Sequence, residues 1–536
     1  MATLADFRNE RIKKLNELRK LGVDPFPAKS SRTIGAGKIS ENFAELDGSE
    51  QDVVGRVVSI RKFGKLAFVV VRDLSGSIQL VFNRGEVEEV FEKDANGNRV
   101  ANENSRKILA ADESQIGMGE LNLLDSGDFI EAKGIVGKTQ TGEISLIVKK
   151  MRILTKSLRP MPSKQEGFTN KEERLRRRYV DMNVNAEVRE RFERRSKFWA
   201  ATREFLVDNG FVEVNIPVLE HTTGGADATP FKTHMDSLDE DFYLRISHEL
   251  PLKRLIGAGF EKVFDIGPRF RNEGVDDEHL PEHIAMESYA AFQDYRQGMD
   301  FYEEMIKFVA QKTWGTLKFE HNGMNVDLDQ EWPRRTFADI LMEEFGIDAF
   351  MDDSEENREI LRNVLTKNNM EFDENAGVSR LLDYCWKIVR KKSAGPFWLI
   401  HEPVSVSPLA KKHAEDHRVT ERFHPVIFGT EMGNGFSELN DPLDQLDRFL
   451  TQQKMRDAGD KEAMMLDIDF VEMLEYGMPP TCGWGNSERN FWLFEGVNAR
   501  EGVPFPAMKS EISETTKKIY PDVKFDLPEK NAKKKN

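Results

Sequence analysis

An arginine and a glutamate two positions apart are the first residues in this sequence whose types and spacing suggest chemistry. Arg271 and Glu273 stand near the end of residues 263–274, a segment that looks like a strand running into a loop. The planar guanidinium of arginine matches two phosphate oxygens, and residues two apart project to the same side of an extended strand. Arg271 and Glu273 could therefore act together on a nucleotide, although a surface salt bridge is the better explanation for an isolated pair of this kind.

The common nucleotide-binding loops are absent from the sequence. The nearest match to a P-loop is Gly137-Lys138-Thr139, which lacks a glycine five residues before Gly137, and Gly134 is too close to replace it. No Gly-x-Gly-x-x-Gly segment lies between a strand pattern and a helix pattern. A nucleotide would therefore have to bind through another architecture.

Length, charge and cysteine content limit the class of protein. A chain of 536 residues exceeds the size of a single hydrophobic core, so two or more domains are expected. No apolar run approaches the roughly 18–20 residues that span a bilayer, and only two cysteines, Cys385 and Cys482, occur, which argues against a disulfide framework. The 93 acidic and 77 basic residues give a net charge of −16, which argues against nonspecific coating of nucleic acid. These features predict a cytoplasmic protein without a membrane or DNA partner.

Two patterns predict different domains along the chain. Residues 53–153 are rich in β-branched residues, and the runs on either side of Ser75-Gly76-Ser77 and of Thr141-Gly142 predict hairpins. Such short strands could form a sandwich or a five-stranded barrel. A helical pattern ends at the stop signal Asn209-Gly210, and strands and helices then mix without regular βαβ alternation to about residue 508. This second region is predicted to be α+β with a largely antiparallel sheet.

The sequence between these regions is strongly basic from Lys164 to Lys197. A charge run is usually a solvated face, but a junction that faces RNA phosphates would use the same residues. The arginines concerned are Arg174, Arg176, Arg177, Arg178, Arg189, Arg191, Arg194 and Arg195.

Two segments in order resemble motifs of class II aminoacyl-tRNA synthetases. Phe270-Arg271-Asn272-Glu273-Gly274, followed by His279-Leu280-Pro281-Glu282 and then Met286-Glu287, resembles motif 2. Upstream, residues 210–214 with Pro217 resemble motif 1, which builds the dimer interface in that family. The resemblance therefore implies a homodimer.

Further segments extend the resemblance over nearly the whole chain. Residues 429–441 resemble a segment of the lysine-specific enzymes, and Tyr243-Leu244-Arg245-Ile246 with Glu249 also favours lysine over aspartate or asparagine. Gly64-Lys65-Leu66-Ala67-Phe68 resembles the anticodon-binding OB-fold of the family. The activity implied is the ATP-dependent activation of L-lysine and its transfer to the 3′ end of tRNA(Lys).

The resemblance implies an N-terminal OB-fold β-barrel followed by a class II catalytic domain with a largely antiparallel sheet. The predicted parts are a helical extension (1–50), the OB-fold (51–158), a basic linker (159–185), the catalytic domain (186–510) and a partly disordered C-terminal tail (511–536).

The reaction that the resemblance implies is attack of an amino acid carboxylate on the α-phosphorus of ATP, which requires positioned charges and no protein nucleophile. Arg271 would contact the α-phosphate, and Glu273 would accept a hydrogen bond from the adenine amino group. His279 would contact the terminal phosphates, and Arg489 the adenine face or the terminal phosphate. Arg271, Glu273 and Arg489 form the implied catalytic set.

A magnesium site is implied by the same resemblance. Glu431 and Glu438, seven positions apart in a glycine-rich segment, match the carboxylates that hold Mg²⁺ between the oxygens of the substrate ATP. Hard oxygen ligands suit this ion, which commonly takes only one or two protein carboxylates.

The lysine substrate brings two ammonium groups, so its pocket needs oxygen acceptors. The resemblance implies Glu249 and Glu287 near the α-amino end, with Tyr289 and Asn440 as additional contacts. Gly225 belongs to the flexible loop that would cover the amino acid.

Recognition of the tRNA anticodon is implied for three residues of the β-domain. Phe68 and Gln79 fall on paired strand patterns, where an aromatic face can stack on a base and an amide can read its edge. Arg61 would hold a phosphate or base nearby.

The sequence departs from the family in both nucleotide-binding motifs. The third motif, residues 483–489, is one residue shorter than usual before Arg489, and His283 replaces the aromatic residue that sandwiches adenine in relatives. Glu278 and Thr229 stand where relatives carry arginine. These changes predict ATP binding of altered geometry or strength without loss of activity. The alternatives are a class II paralogue that has lost aminoacylation or changed its substrate to another amino acid or a protein lysine.

Overall fold

Separate hydrophobic cores divide the chain into two compact units, Met1–Thr169 with Lys509–Asn536, and Asn170–Met508. The structure, a computed structural model, describes residues 3–91, 113–162, 168–457 and 463–525. No helix within these ranges is long and apolar enough to cross a membrane. Residues 526–536, part of the predicted disordered tail, lie outside the described residues, as do residues 163–167 of the predicted basic linker.

The first unit consists of short helices and a β-barrel. Its N-terminal helices are α1 (Leu4–Lys20), α2 (Ala36–Glu41) and α3 (Phe43–Leu46). Its strands are β1 (Glu50–Phe63), β2 (Leu66–Asp73), β3 (Gly76–Asn83), β4 (Gln115–Ile116), β5 (Phe129–Lys138) and β6 (Ile144–Thr155), with a 3-10 turn at Met118–Leu123.

The strand order β3-β2-β1-β5-β6 closes on itself because β3 also pairs with β6, while β4 attaches to β6. Both predicted hairpins, β2–β3 and β5–β6, are confirmed. The closing pair is parallel and aligns Gln79 with Ser145. The fold is therefore a five-stranded barrel and not a sandwich. Alternation along β2 buries Ala67 and Val69 in the barrel core and turns Phe68 to the other face.

The second unit is built around a mixed sheet that runs β15-β16-β17-β19-β20-β12-β11-β7 among the described residues, with β18 attached to β17. All pairings are antiparallel except β7–β11 and β15–β16, which confirms the predicted largely antiparallel sheet. These strands are β7 (Val212–Glu213), β11 (Lys262–Phe270), β12 (Glu282–Ala291), β15 (Arg334–Thr336), β16 (Phe397–Ile400), β17 (Arg422–Ile427), β18 (Thr430–Glu431), β19 (Asn434–Ser437) and β20 (Thr481–Ser487).

Two smaller sheets accompany the large one. The first has the order β8-β10-β9 and the second is the hairpin β13–β14. Their strands are β8 (Leu219–Glu220), β9 (Lys232–Met235), β10 (Glu240–Leu244), β13 (Lys318–His321) and β14 (Met324–Asp327).

Helices cover the large sheet and complete its cores. They are α4 (Lys171–Arg176), α5 (Arg178–Val184), α6 (Ala186–Asp208), α7 (Glu249–Gly257), α8 (Tyr295–Trp314), α9 (Phe337–Phe345), α10 (Glu355–Lys367), α11 (Val378–Lys392), α12 (Pro442–Asp457), α13 (Ile468–Tyr476), α14 (Arg489–Glu495) and α15 (Ala499–Gly502), with a 3-10 turn at Val404–Val406. Helix α16 (Glu514–Ile519) belongs to the first unit and lies in the predicted tail.

Helix α6 confirms the predicted helix that ends near position 209. Phe198 and Leu206 are buried on its inner face, and Gly210 takes the left-handed φ of +82° that ends such helices. Strand β20 lies next to β12 in the middle of the sheet, and Trp484 packs against Phe211 and Phe301. This packing fixes the central strands whose ends carry the polar site.

The arginines of the basic run are paired with carboxylates inside the second unit. Each has an acidic partner within 4.0 Å. Arg194 binds Glu495 through two hydrogen bonds, and Arg178 is buried against Asp181 at 3.0 Å. This pairing favours a structural role for the run over a face open to RNA phosphates.

Candidate active site

A cavity of about 410 Å³ lies over the central strands of the large sheet. It brings together side chains from the strand pair β11–β12, the segment 431–438, β20 and the start of α14. The predicted site residues that line it are Gly225, Glu249, Arg271, Glu273, His279, His283, Glu287, Tyr289, Glu431, Glu438 and Arg489. Residues far apart in sequence therefore share one polar cavity.

Asn440 is the predicted lysine contact that does not line the cavity. Its Oδ1 accepts a hydrogen bond from Lys411 Nζ at 2.6 Å, and its Nδ2 donates to the Met478 carbonyl at 3.1 Å. Its predicted role stays a prediction.

Two arginines line the cavity where β11 ends. Arg269 lies on β11 and faces His283 on β12, and Arg271 is the first residue after the strand. The backbone N–H of Arg271 donates to the Pro281 carbonyl at 2.9 Å, which closes the base of the loop. The Nε of Arg271 is buried without a hydrogen-bond partner among the described residues. Such an unpaired donor at a cavity wall suits an anionic ligand.

Glu273 lies on the same wall as Arg271. Its Oε1 accepts a hydrogen bond from the backbone N–H of Thr229 at 3.3 Å. This contact holds the carboxylate beside the segment that carries Gly225. The carboxylate is available as an acceptor on the arginine side of the cavity.

Arg489 reaches the cavity although the third motif is short. It is the first residue of α14, and its Nη2 lies 3.1 Å from His279 Nε2. The preceding Glu488 is buried, accepts from the backbone N–H of Ile284 at 2.9 Å and binds Arg195 at 2.6 and 2.8 Å. Glu488 thus joins β12, α6 and α14, and this junction sets the position of Arg489.

Glu287 is the most heavily bonded carboxylate of the cavity. It accepts hydrogen bonds from Ser247 Oγ at 2.8 Å, His248 N at 3.1 Å and Tyr289 OH at 3.2 Å. Arg269 Nη1 lies 3.3 Å away. Burial acts to raise the pKa of Glu287, but the His248 and Arg269 contacts outweigh it and lower the pKa to about 2. Glu287 is therefore a permanent anion in the wall.

Glu249 and Glu438 share a buried lysine of the chain. Lys253 Nζ lies 2.6 Å from Glu249 Oε1 and also forms an ion pair with Glu438. Burial raises the pKa of both carboxyl groups. Burial alone would lower the pKa of Lys253, but the two carboxylates outweigh it and raise that pKa.

Two glycines are required where the backbone passes these carboxylates. Gly225 has φ +82°, and a Cβ there would lie 2.7 Å from the Glu249 Cβ. A Cβ on Gly483 would collide with Glu438 and Tyr289. The glycine-rich third motif is thus needed to let β20 pass the polar side chains.

Glu431 has a different set of partners among the described residues. Its Oε1 accepts from Trp386 Nε1 at 2.6 Å and lies 3.3 Å from Arg390, and its Oε2 lies 3.8 Å from His424. Burial acts to raise the pKa of Glu431, but the charges of His424 and Arg390 outweigh it and the pKa is lowered.

The carboxylates of Glu431 and Glu438 suit a magnesium ion whose remaining ligands come from the phosphates of a bound substrate. Glu431 and Glu438 line the same cavity as Arg271 and offer hard oxygen donors. Among the described residues no group of three or more His, Cys, Asp and Glu side chains could hold an ion alone. Any ion held here would therefore take further ligands from substrate oxygens or water.

Arg269, Lys253 and Arg422 also contribute to this site, although no site role was predicted for them from the sequence. The position of Arg269, two residues before Arg271, could have indicated it, because residues two apart in an extended segment project to the same side. Helical spacing was a signal for Lys253, because it follows Glu249 by four residues. Arg422 lines the cavity and pairs with Glu402 at 3.1 Å, a contact that no local pattern indicates.

The predicted anticodon residues lie together on the barrel of the first unit. Arg61 on β1 faces Phe68 on β2, and its guanidinium lies 5.8 Å from the Phe68 ring. Arg61 Nη2 donates to Gln79 Oε1 at 3.2 Å. Phe63, with 63% of its surface exposed, lies 6.1 Å from Phe68 and extends the same face.

Comparison with known proteins agrees with both units. Residues 170–509 match the family described as tRNA synthetases class II (D, K and N), and residues 52–101 match the OB-fold nucleic acid binding domain. With a β-barrel, a largely antiparallel sheet and this arginine- and carboxylate-lined cavity, the chain belongs to the class II tRNA synthetases.

Curated proteins that are similar to this chain over most of its length are lysine–tRNA ligases. The enzyme of Fervidobacterium nodosum is 42% identical over 517 residues, which cover 95% of each chain. That of Thermotoga maritima is 40% identical over 94% of this chain and 96% of its own, and that of Nostoc punctiforme is 39% identical over 94% and 88%. Within class II the chain therefore belongs to the lysine–tRNA ligase family.

Proposed function

We propose that the protein activates L-lysine with ATP to lysyl-adenylate and transfers the lysyl group to the 3′ end of tRNA(Lys). The observation that carries this proposal is one cavity that is lined by both arginines and buried carboxylates. Such a cavity suits a nucleotide phosphate beside an amino acid with two ammonium groups.

In the adenylation step the lysine carboxylate attacks the α-phosphorus, a new P–O bond forms, and the bond to pyrophosphate breaks. Arg271 balances the charge on the α-phosphate, and its buried Nε, unpaired among the described residues, supports this role. His279 binds the terminal phosphates, and Arg489, whose Nη2 lies 3.1 Å from His279 Nε2, binds the adenine face or the terminal phosphate. Glu273 accepts from the adenine amino group, and His283 stacks on the ring. No protein side chain forms a covalent bond.

We infer that Glu431 and Glu438 hold Mg²⁺ together with ATP oxygens, which would neutralise phosphate charge during the displacement. Both carboxylates line the cavity. Glu438 would then share its charge between Lys253 and the ion, so Lys253 sets how much negative charge the cavity offers.

We assign the contacts with the lysine substrate to Glu249, Glu287 and Tyr289. The backbone at Gly225 would lie close to the bound amino acid and cover it. Glu287 keeps its charge because its pKa is about 2. It can therefore bind an ammonium group across the physiological pH range.

We propose that Arg61, Phe68 and Gln79 contact the tRNA anticodon. Their shared face and the exposed Phe63 ring beside them support stacking of an unpaired base.

We also propose a cytoplasmic homodimer that forms through the segment resembling motif 1. Strand β7 ends the large sheet, its Val212 is exposed, and Val207 on the preceding helix is exposed as well. Exposed apolar side chains at an unpaired sheet edge suit an interface between copies. Sedimentation of the purified protein at micromolar concentration would show a dimer, and a monomer would contradict the proposal.

The exchange of labelled pyrophosphate into ATP, measured with each amino acid in turn, tests the activation step. Lysine should support exchange well above all others at millimolar ATP. Exchange with a different amino acid would show a changed substrate, and exchange with none would show a protein that has lost activation. Charging of tRNA(Lys) transcripts and modification of protein lysines, assayed side by side, then identify the acceptor.

A further inference from the structure

Arg269 and His283 form a cross-strand pair inside the proposed nucleotide pocket. Arg269 Nε donates a hydrogen bond to His283 Nε2 at 2.9 Å, and the two residues are direct partners in the β11–β12 register. The Arg269 side chain is only 15% exposed. Both residues line the cavity.

The same guanidinium also reaches the proposed amino-acid pocket. Arg269 Nη1 lies 3.3 Å from Glu287 Oε1, so one side chain touches the proposed adenine wall and the proposed lysine-binding carboxylate. The planar, multidentate guanidinium can serve both partners at once, which a single ammonium cannot do with the same geometry.

The hydrogen bond from Arg269 fixes the chemical state of the His283 ring. A ring nitrogen that accepts a hydrogen bond carries no proton, so the imidazole is neutral with its proton on Nδ1. The ring has a further hydrogen bond with the Leu280 backbone. Burial and the charges of Arg269, Arg271 and Arg489 lower the pKa of His283 well below its usual range. The ring is thus held in one orientation and one protonation state.

Placing Arg269 here is electrostatically unfavourable by itself. Burial and the neighbouring charge of Arg271 lower the pKa of Arg269 to about 10, although Glu287 acts in the opposite direction. A third arginine beside Arg271 and Arg489 adds repulsion that its two hydrogen-bonded partners must offset. Its position is explained if those two contacts serve the reaction.

We propose that Arg269 is a positioning residue that holds His283 as a flat, neutral wall for the adenine ring and links that wall to Glu287. The inference rests on the proposed function, since it takes the adenine to lie against His283. It extends that function by making one guanidinium responsible for both ATP affinity and lysine affinity.

A double-mutant cycle in the exchange assay tests this link. Arg269→Gln, His283→Phe and the double variant are compared with the parent protein for the KM of ATP, the KM of lysine and kcat. Arg269→Gln should raise the KM of ATP by roughly three- to tenfold, as expected for the loss of one hydrogen bond. In the His283→Phe background the same change should leave the KM of ATP unaltered, because a phenyl ring needs no donor to hold it.

The lysine readout separates the two contacts of Arg269. The KM of lysine should rise in both backgrounds, because the contact with Glu287 is lost in each. A rise in the KM of ATP by the same factor in both backgrounds, or in neither, would overturn the proposal. If the parent protein shows no exchange with lysine, the proposed function fails first, and the two failures are thereby distinguished.

Arg269→Lys provides a second route if the glutamine variant does not fold. It keeps the positive charge and loses the planar fork, so it too should raise the KM of ATP more in the parent than in the His283→Phe background. Equal effects in the two backgrounds would again contradict the proposal. Thermal unfolding of each variant identifies those that are folded.

Discussion

Lys253 Nζ lies 2.6 Å from Glu249 Oε1 with no solvent exposure, so the proposed amino-acid pocket already contains one ammonium group of the chain itself. The same group pairs with Glu438. One buried cation between two carboxylates means that the pocket is less negative than its glutamates alone suggest. The lysine substrate must therefore bind in the presence of this internal competitor.

Lys253→Met should strongly destabilise the second unit. Removing one partner of a buried ion pair leaves uncompensated charge and typically costs about 3–5 kcal/mol. All seven tryptophans lie in the second unit, between Trp199 and Trp492. Urea unfolding followed by tryptophan fluorescence therefore reports on this unit alone.

Lys312→Met is the matched control for this variant. Lys312 pairs with Glu204 at 2.9 Å, but their side chains are 50% and 46% exposed. Loss of such a surface pair should change the free energy of unfolding by less than about 1 kcal/mol. Equal effects of the two substitutions would show that the Lys253 pair is not buried in solution.

Arg271→Ala should abolish pyrophosphate exchange while the protein stays folded. Loss of a single group that stabilises transition-state charge commonly lowers kcat by a factor of roughly 10²–10³. The Nε of Arg271 forms no hydrogen bond among the described residues, so its loss breaks no such contact there. Arg334→Ala is the control, since Arg334 is an exposed residue on β15, at the other end of the large sheet, and pairs with Asp300 at 2.8 Å. Exchange that survives in the Arg271 variant would contradict the assigned role.

The sequence was sufficient to predict those features whose signal lies in neighbouring residues. Arg271 and Glu273 stand two apart in the loop that directly follows β11, and the motif around them is continuous, so their place in one site could be predicted. The β2–β3 hairpin was equally local, because its turn overlaps the start of the turn signal Ser75-Gly76-Ser77. Each of these predictions needed only neighbours in sequence.

The parts of the fold and of the site that could not be predicted depend on contacts between segments that are distant in sequence. Barrel closure rests on the pairing of Gln79 with Ser145, which no turn signal indicates. One carboxylate partner of Lys253 is Glu438, which lies far along the chain from it. Asn440 lies in a recognisable segment, but its side-chain amide binds Lys411 and the Met478 carbonyl. The segment alone gave no indication of these two contacts.

Phe68→Ala should weaken tRNA charging and leave pyrophosphate exchange unchanged. Stacking of one base on an aromatic ring is worth about 1–3 kcal/mol, so the KM for tRNA should rise roughly five- to a hundredfold. Phe7→Ala, which removes another exposed phenylalanine of the first unit, is the control and should affect neither activity. Equal loss of exchange and charging in the Phe68 variant would show that its role is structural.

Glu220 should make the second unit less stable as the pH rises. Burial raises its pKa to about 8, from 4.5, and its Oε2 has no hydrogen-bond partner among the described residues. Between about pH 4.5 and 8 the unfolded chain loses this proton while the folded chain keeps it. The folded state then binds the extra proton, so its stability falls through that window.

Glu220→Gln removes this titration and should therefore stabilise the second unit at pH 8 but not at pH 4. The expected gain is roughly 1–3 kcal/mol, because each pKa unit corresponds to about 1.36 kcal/mol and solvent screens part of the effect. Urea unfolding followed by tryptophan fluorescence at the two pH values measures it. Glu240→Gln, a change at an exposed carboxylate of the same small sheet, is the control. A gain of equal size at pH 4 would mean that the amide stabilises the site by contacts of its own, and the proposed titration of Glu220 would then be wrong.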